Sequence, residues 1–144
     1  MRAITLNDAH HFCAPHQVVD EVVGVLELID QAYDLLGIQA NHVRLSLRDG
    51  SSKFAGDDES WEQAEAWLRE ALARHGVDFV AVSGEAAFYG PKIDIQVLDV
   101  GGREFTLSTV QVDMYQPDRF DLEYVAPGGA RHRPVMVHRS VLAS

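Results

Sequence analysis

Lys92, Asp94 and Gln96 alternate along one stretch of this chain, and Thr109 and Gln111 alternate along another shortly after it. Side chains two apart in an extended strand share a face, so each set would form a row of polar groups. A cation, a carboxylate, amides and a hydroxyl in one place serve as a floor for a polar substrate. They serve equally as the solvated face of a strand pair whose other face is buried, and the pattern alone leaves both readings open. A second group with chemical potential is Asp8, His10 and His11 near the start, with His138 near the end. Adjacent histidines on a strand project to opposite faces, so one of His10 and His11 looks into any given pocket.

The elements that must position these groups are legible around Gly90-Pro91. Proline fixes φ and pushes the preceding residue away from helix, so a strand is expected to begin there. From Ile93 to Val97 apolar and polar residues alternate, and Gly101-Gly102 supplies the two positive φ angles of a tight primed hairpin turn. If those glycines are the loop, Val100 faces Arg103. Lys92 then lies opposite Gln111, Asp94 opposite Thr109 and Gln96 opposite Leu107, while Ile93, Ile95 and Val97 point the other way.

In chain order, Arg2 to Phe12 reads as a strand ending in the Asp8, His10, His11 group. Pro15 suits a helix start, and Val18, Val19, Val22, Val23, Leu26, Ile29, Tyr33 and Leu36 form a core stripe that Gly37 ends. Asn41 to Leu47 reads as a strand, and the segment from Gly50 to Gly56 as a polar loop containing Lys53. Asp57 or Asp58 caps a second helix whose Trp61, Ala64, Leu68, Leu72 and His75 share a face before Gly76. A short strand near Asp78 to Val82 leads to a loop from Ser83 to Tyr89, where small residues allow close approach of a ligand. After the hairpin, Phe120 to Val125 is expected to turn at Pro127-Gly128-Gly129 and pair with Arg133 to His138, with a helix starting at Ser140 to Ser144.

Composition narrows the function classes. With 144 residues and 47% hydrophobic content, one domain with a real core is expected over residues 1–144. No apolar run has the length of a membrane span, and the start does not read as a signal peptide. The lone Cys13 excludes an internal disulfide framework and points to a reducing cytoplasm. Asp and Glu number 22 against 12 Lys and Arg, for a formal charge of -10. That balance lacks the basic footprint expected of an autonomous RNA binder, so any tRNA contact needs other segments or a partner.

The runs GEAAFYGPKIDIQ, STVQVDMYQPDRFDLEYV and HRPVMVHRSVLAS resemble the catalytic core of bacterial threonyl-tRNA synthetase, a class II aminoacyl-tRNA synthetase. RAITLNDAHHFC is similar to the end of that family's motif 2 region, and LSLRDGSSKFAGDDESWEQAE to its central segment. The resemblance spans essentially the whole chain. It implies an α+β fold built on a class II antiparallel sheet with packed helices. The implied chemistry is attack of threonine on the α-phosphate of ATP, followed by acylation of tRNA by the adenylate.

By the same resemblance, Tyr89 would contact the substrate amine and Asp8 its hydroxyl. Lys92, Thr109 and Gln111 would line the reacting end, with Lys92 in the catalytic role. Thr106 stands where the family's nucleotide pocket has a glutamine. His10 and His138 match zinc ligands, and zinc bound to amine and hydroxyl would select threonine over valine. The family's third zinc ligand, a cysteine, lies upstream of the matching segment. Cys13 is no substitute, because an odd step from His10 turns it to the opposite strand face. Leu6 replaces a family glutamine and His11 a usual isoleucine. Motif 1, most of motif 2 and the motif 3 arginine are absent from these residues, so the expectation is a partial domain not competent alone. It would act as a truncated portion or one half of a split enzyme, with a homodimer or a complementing fragment as partner. The rival expectation is a non-catalytic, synthetase-derived module that binds an amino acid or a protein.

Overall fold

The computed structural model describes residue 3 and residues 5–142. Its strands are β1 (Ala9–Cys13), β2 (His42–Leu47), β3 (Phe79–Ser83), β4 (Lys92–Leu98), β5 (Glu104–Asp113), β6 (Tyr124–Val125), β7 (Arg131–His132) and β8 (Val135–Ser140). Its helices are α1 (Val18–Leu36), entered through a short turn at Pro15–Gln17, α2 (Asp58–His75) and α3 (Tyr115–Arg119). Six strands form one sheet in the order β1-β8-β5-β4-β2-β3, and β6 and β7 make a separate ribbon. The large sheet is antiparallel apart from β2 and β3, which run parallel. That exception to the expected sheet follows from α2, since a helical crossover between consecutive strands lets the second run parallel to the first.

The two long helices begin and end where local chemistry directs. The Asp57 side chain accepts from the Ser60 backbone N–H and caps α2, while Gly37 and Gly76 follow the last turns. Val18, Val22, Leu26, Ile29 and Tyr33 of α1 are buried, as the stripe predicts, and Val25 joins them. Leu36, at the end of the stripe, is 56% exposed instead. From α2 come Trp61, Ala64, Leu68, Ala71 and Leu72. Apart from Trp61, the buried side chains of the two helices meet Val43, Leu45, Ile93, Ile95, Val110, Val112, Val135 and Val137 of the sheet in one core. The opposite sheet face carries the polar partners of those alternating residues. No helix among the described residues is long and apolar enough to cross a membrane.

The hairpin between β4 and β5 departs from expectation in an informative way. Its loop has three residues, because Asp99 N–H donates to Arg103 O at 2.9 Å and Gly102 N–H to Asp99 O at 2.9 Å. Only one of the two glycines is left-handed, Gly102 at φ 76. The Asp99 carboxylate closes the loop by accepting from Gly101 N–H at 2.8 Å and Arg103 N–H at 2.9 Å, a turn signal stronger than the glycine pair. The extra loop residue puts Gln96 opposite Thr106 rather than Leu107. A bulge at Leu107 then restores the expected partners, Asp94 with Thr109 and Lys92 with Gln111.

Three further expectations are corrected. β1 starts at Ala9 rather than Arg2, with Arg2 outside the described residues and Asp8 just before the strand. The Phe120 to Val125 segment contributes only Tyr124 and Val125, paired with His132 and Arg131. The Arg133 to His138 run does not return along it: Pro134 has no N–H to continue the ribbon, and β8, with Val135 and Val137, inserts between β1 and β5 over the core. Between β5 and the Phe120 to Val125 segment, where no element is expected from the sequence, α3 forms because Asp113 Oδ1 accepts from Tyr115 N–H at 2.9 Å and Gln116 N–H at 2.8 Å. Ser140 ends β8 rather than starting a helix, and residues 143–144 lie outside the described range.

Gly90, just ahead of β4, is required by closeness and not by φ. A Cβ there would lie 1.9 Å from Val112 O, a backbone atom held in the sheet. Gly90→Ala must therefore push the loop bearing Tyr89 away from β5, and should destabilise the fold by at least about 1–3 kcal/mol. Urea denaturation of the two proteins checks this, with an unchanged midpoint ruling out the tight contact.

Candidate functional site on the polar face of the sheet

The strand register lines up His10, His138, Gln111, Lys92 and Ser46 across five strands, from β1 through β8, β5 and β4 to β2. Directly opposite residues share a face, so these five make one continuous polar row. A second row beside it runs Ser140, Thr109, Asp94 and Arg44. Thr106 lies beyond that, opposite Gln96, and its Oγ1 accepts from Gln96 Nε2 at 2.8 Å. Of the residues singled out by sequence, the fold thus gathers His10, His138, Gln111, Lys92 and Thr109. It leaves Thr106 two rows away from Lys92, toward the hairpin loop.

Tyr89 reaches this platform from the loop ahead of β4. Its ring centre is 4.9 Å from that of His138, and its hydroxyl donates to Gln111 Oε1. Burial raises the Tyr89 hydroxyl to about 12, with the Asp113 and Asp8 carboxylates adding to the effect. Tyr89 is therefore a neutral donor, and its bond to Gln111 Oε1 leaves the Gln111 amide N–H groups for a ligand.

Asp94 is the most connected group of the floor. The side chain is 1% exposed, and its oxygens meet Arg44 Nη2 at 3.0 Å, Lys92 Nζ at 3.0 Å, Ser46 Oγ at 2.8 Å and Thr109 Oγ1 at 3.1 Å. Alternation puts Asp94 on this face but does not reveal that four donors converge on it. Arg44 and Ser46 went unnoticed for the same reason, since their strand is remote in sequence. A buried carboxylate without such partners would cost several kcal/mol.

Asp113 plays the matching part at the other end. Fully buried, it accepts from His138 Nε2 at 2.8 Å while capping α3 with its other oxygen. A carboxylate on Nε2 sets the His138 tautomer and leaves Nδ1 with its lone pair. The His138 ring meets His10 edge to face at 4.5 Å between centres, and His10 Nε2 is 3.8 Å from Asp8 Oδ2. His11, on the other strand face, pairs with Glu21 of α1 at 3.0 Å. A cavity of about 450 Å³ nearby is lined by Trp61, Tyr89, Val112 and Tyr115 among others. It shares Tyr89 with the site but neither Lys92, Thr109 nor Gln111, so the polar floor is an open platform beside it.

His10 and His138 bring two imidazoles together, and the Asp113 bond on His138 suits a metal ligand. Among the described residues, however, no three metal-ligating side chains converge. Cys13 is buried among the core residues with its Sγ 3.8 Å from Val135 O, on the face away from His10. Two nitrogens fall short of the three protein ligands of an open zinc site, so these residues form an incomplete zinc site by themselves.

Residues 1–144 match the family described as the tRNA synthetase class II core domain (G, H, P, S and T). Over its whole length the chain is 45% identical to a threonine–tRNA ligase of Oceanobacillus iheyensis, spanning 23% of it. It is 48% identical to the threonine–tRNA ligase of Geobacillus kaustophilus, spanning 22%. Among solved structures, it is similar to one titled as the RNA binding domain of threonyl-tRNA synthetase from Cryptosporidium parvum Iowa II. That match has a TM-score of 0.86 at 37% identity, over 95% of this chain and 34% of that one. A putative threonyl-tRNA synthetase from Aeropyrum pernix gives a TM-score of 0.79 at 36% identity, over 97% and 34%. The chain thus spans less than a quarter of the length of the curated relatives it matches.

Two outcomes follow from the paired imidazoles of the site and from the buried Cys13 thiol behind it. After dialysis against zinc, the chain should retain less than one equivalent, as metal analysis would show, and His138→Ala should remove what remains. Burial, reinforced by Glu21, raises the Cys13 thiol from its ordinary 9.0 to about 11. The folded state then holds this proton more tightly than the unfolded chain. Its stabilising effect is complete below about pH 9 and is lost as pH rises towards 11. Urea midpoints should fall across that window, with about 1–3 kcal/mol of the loss absent in Cys13→Ala.

Proposed function

Because the chain belongs to the class II aminoacyl-tRNA synthetase core family, we propose that its polar floor is the threonine-reading part of a threonyl-tRNA synthetase catalytic centre. Its role is in ATP-dependent activation of threonine and transfer to tRNA, in the cytoplasm. The observation that carries this reading is the cross-sheet row of His10, His138, Gln111 and Lys92 with Tyr89 laid over it. Such a row offers donors and acceptors at fixed spacing to a small zwitterion with a side-chain hydroxyl.

In this reading the amine and hydroxyl of threonine meet Tyr89 and Asp8, and Thr109 and Gln111 line the reacting end, with the Gln111 amide as donor to the carboxylate. When that carboxylate attacks the α-phosphorus of ATP and pyrophosphate leaves, Lys92 stabilises the negative charge at the reacting end. Thr106, two rows along, borders the nucleotide. His10 and His138 would hold zinc only together with a third ligand from outside the described residues, and no step is derived through the metal. A site built to hydrogen-bond the hydroxyl rejects valine because polar groups would be left unpaired.

Residues 1–144 would act as one partial catalytic domain. The outer edge of β1 is unpaired among the described strands, which suits a complementing polypeptide or a second copy of the chain. With so acidic a chain, most tRNA contacts belong to such a partner.

Calorimetry with threonyl-sulfamoyl-adenosine, a stable mimic of the adenylate, should detect binding that weakens about 10–100-fold in Gln111→Ala. The valyl counterpart should bind more weakly. Threonine-dependent exchange of pyrophosphate into ATP should be absent for the chain alone and appear on mixing with a polypeptide bearing the remaining class II motifs. No binding of the mimic would overturn the reading, and exchange by the pure chain would overturn the need for a partner. Binding that persists without exchange in the mixture would instead mark a non-catalytic amino-acid-binding module.

A further inference from the structure

Resting on that reading of the floor, we propose that Asp94 is its positioning residue: the buried carboxylate pins Lys92 and turns the Thr109 hydroxyl so that it can only accept a hydrogen bond from a ligand.

The argument begins with proton counting. Thr109 Oγ1 has one proton and two neighbours that could take it, Asp94 Oδ1 at 3.1 Å and Ile93 O at 3.2 Å. Neither neighbour donates, since one is the carboxylate of two ion pairs and the other a carbonyl. The hydroxyl proton therefore points into the protein, and only lone pairs are left for a ligand. One position along β5, across the intervening Val110, Gln111 shows the reverse polarity, because its Oε1 takes the Tyr89 hydroxyl proton and its amide N–H groups remain. The floor thus presents an acceptor at Thr109 beside a donor at Gln111, a pattern that suits a ligand with an ammonium or hydroxyl next to a carboxylate or phosphate.

Lys92 is fixed by the same group. Its Nζ contacts both Asp94 oxygens, at 3.2 Å and 3.0 Å, and its side chain is 21% exposed. Arg44 and Ser46 hold Oδ2 from the far side, so the carboxylate cannot swing away. Two cations share one carboxylate here, which leaves a positive charge on the floor beside the Gln111 donor. Asp94 itself, at 1% exposed, is too deep to touch a ligand and acts through Lys92 and Thr109.

The chain has two lysines, Lys53 and Lys92, which gives the test an internal reference. Amine acetylation of the native chain, read site by site by mass spectrometry, should modify Lys92, held by both oxygens of a buried carboxylate, at least about tenfold more slowly than Lys53, whose exposed ammonium donates to the Gly84 carbonyl at the surface. In Asp94→Asn, which keeps the side-chain size, the Lys92 to Lys53 ratio should rise at least fivefold, on the order of one such bond. Equal labelling of the two lysines in the unaltered protein overturns the pinning of Lys92, and that measurement does not depend on the variant folding. An Asp94→Asn protein that folds with lowered Tm and an unchanged ratio makes Asp94 merely structural and overturns the proposal. For Thr109, an asparagine amide can donate to the hydroxyl and let it turn over. Asp94→Asn should then weaken binding of threonyl-sulfamoyl-adenosine about tenfold, and adding Thr109→Val should cost little more, whereas additive losses overturn the coupling. Absence of any binding in the unaltered protein defeats the functional reading, while the lysine ratio still decides the role of Asp94.

Discussion

A strand side chain cannot change faces without a change of register, and the arrangement of this protein depends on that constraint. The three-residue loop after β4 shifts the pairing by one residue. Left uncorrected, it would bring Ser108 and Val110 to the polar face and send Thr109 and Gln111 into the core. The bulge at Leu107 absorbs the extra residue. Beyond it Val110 and Val112 pack under the helices, and Thr109, Gln111 and Asp113 face the other way in step with β4 and β8. Ser108, kept on the helix side, meets the Tyr33 hydroxyl at 2.7 Å, so these two polar groups facing the core satisfy each other.

Once the faces are sorted, two buried carboxylates organise the polar one. Asp94 and Asp113 each lose their water, a cost offset only by donors fixed in place. Asp94 draws them from two strands, β2 and β5, besides its own neighbour Lys92. Asp113 joins the end of β5 to the first turn of α3 and to β8. The consequence is a floor whose polar groups are oriented before any ligand arrives, which is the condition under which fixed dipoles act strongly on a bound substrate.

Charge is distributed in keeping with this division. The α1 sequence carries five carboxylates and no lysine or arginine, and α2 adds five more against Arg69 and Arg74. The excess negative charge therefore lies on the helical layer. The floor instead holds Arg44 and Lys92 around a single carboxylate. An anionic group meets a more favourable field beside Arg44 and Lys92 than at the helices.

The amino-acid sequence by itself determined the long elements and the chemistry of their faces. Valine and leucine spacing placed α1 and α2, the alternation from Ile93 to Val97 placed β4, and the opposition of Lys92 with Gln111 and of Asp94 with Thr109 followed from a hairpin. Family membership was legible in whole runs of residues around Gly90-Pro91. These are local properties, carried by side-chain periodicity and backbone preference within a few turns or one hairpin. What only the tertiary structure decided was long-range. Pairing β8 with β1 set His138 against His10, and pairing β2 with β4 delivered Arg44 and Ser46 to Asp94. The short α3 depended on the Asp113 cap, in a segment to which the sequence pattern assigns no element, and the separate β6–β7 ribbon on Pro134 interrupting a pairing that strand propensity alone carries through to His138. Burial of Asp94 was equally invisible, because an aspartate in an alternating strand looks the same in sequence whether water or four protein donors surround it. The difference lies in which distant strands the hydrophobic core draws alongside.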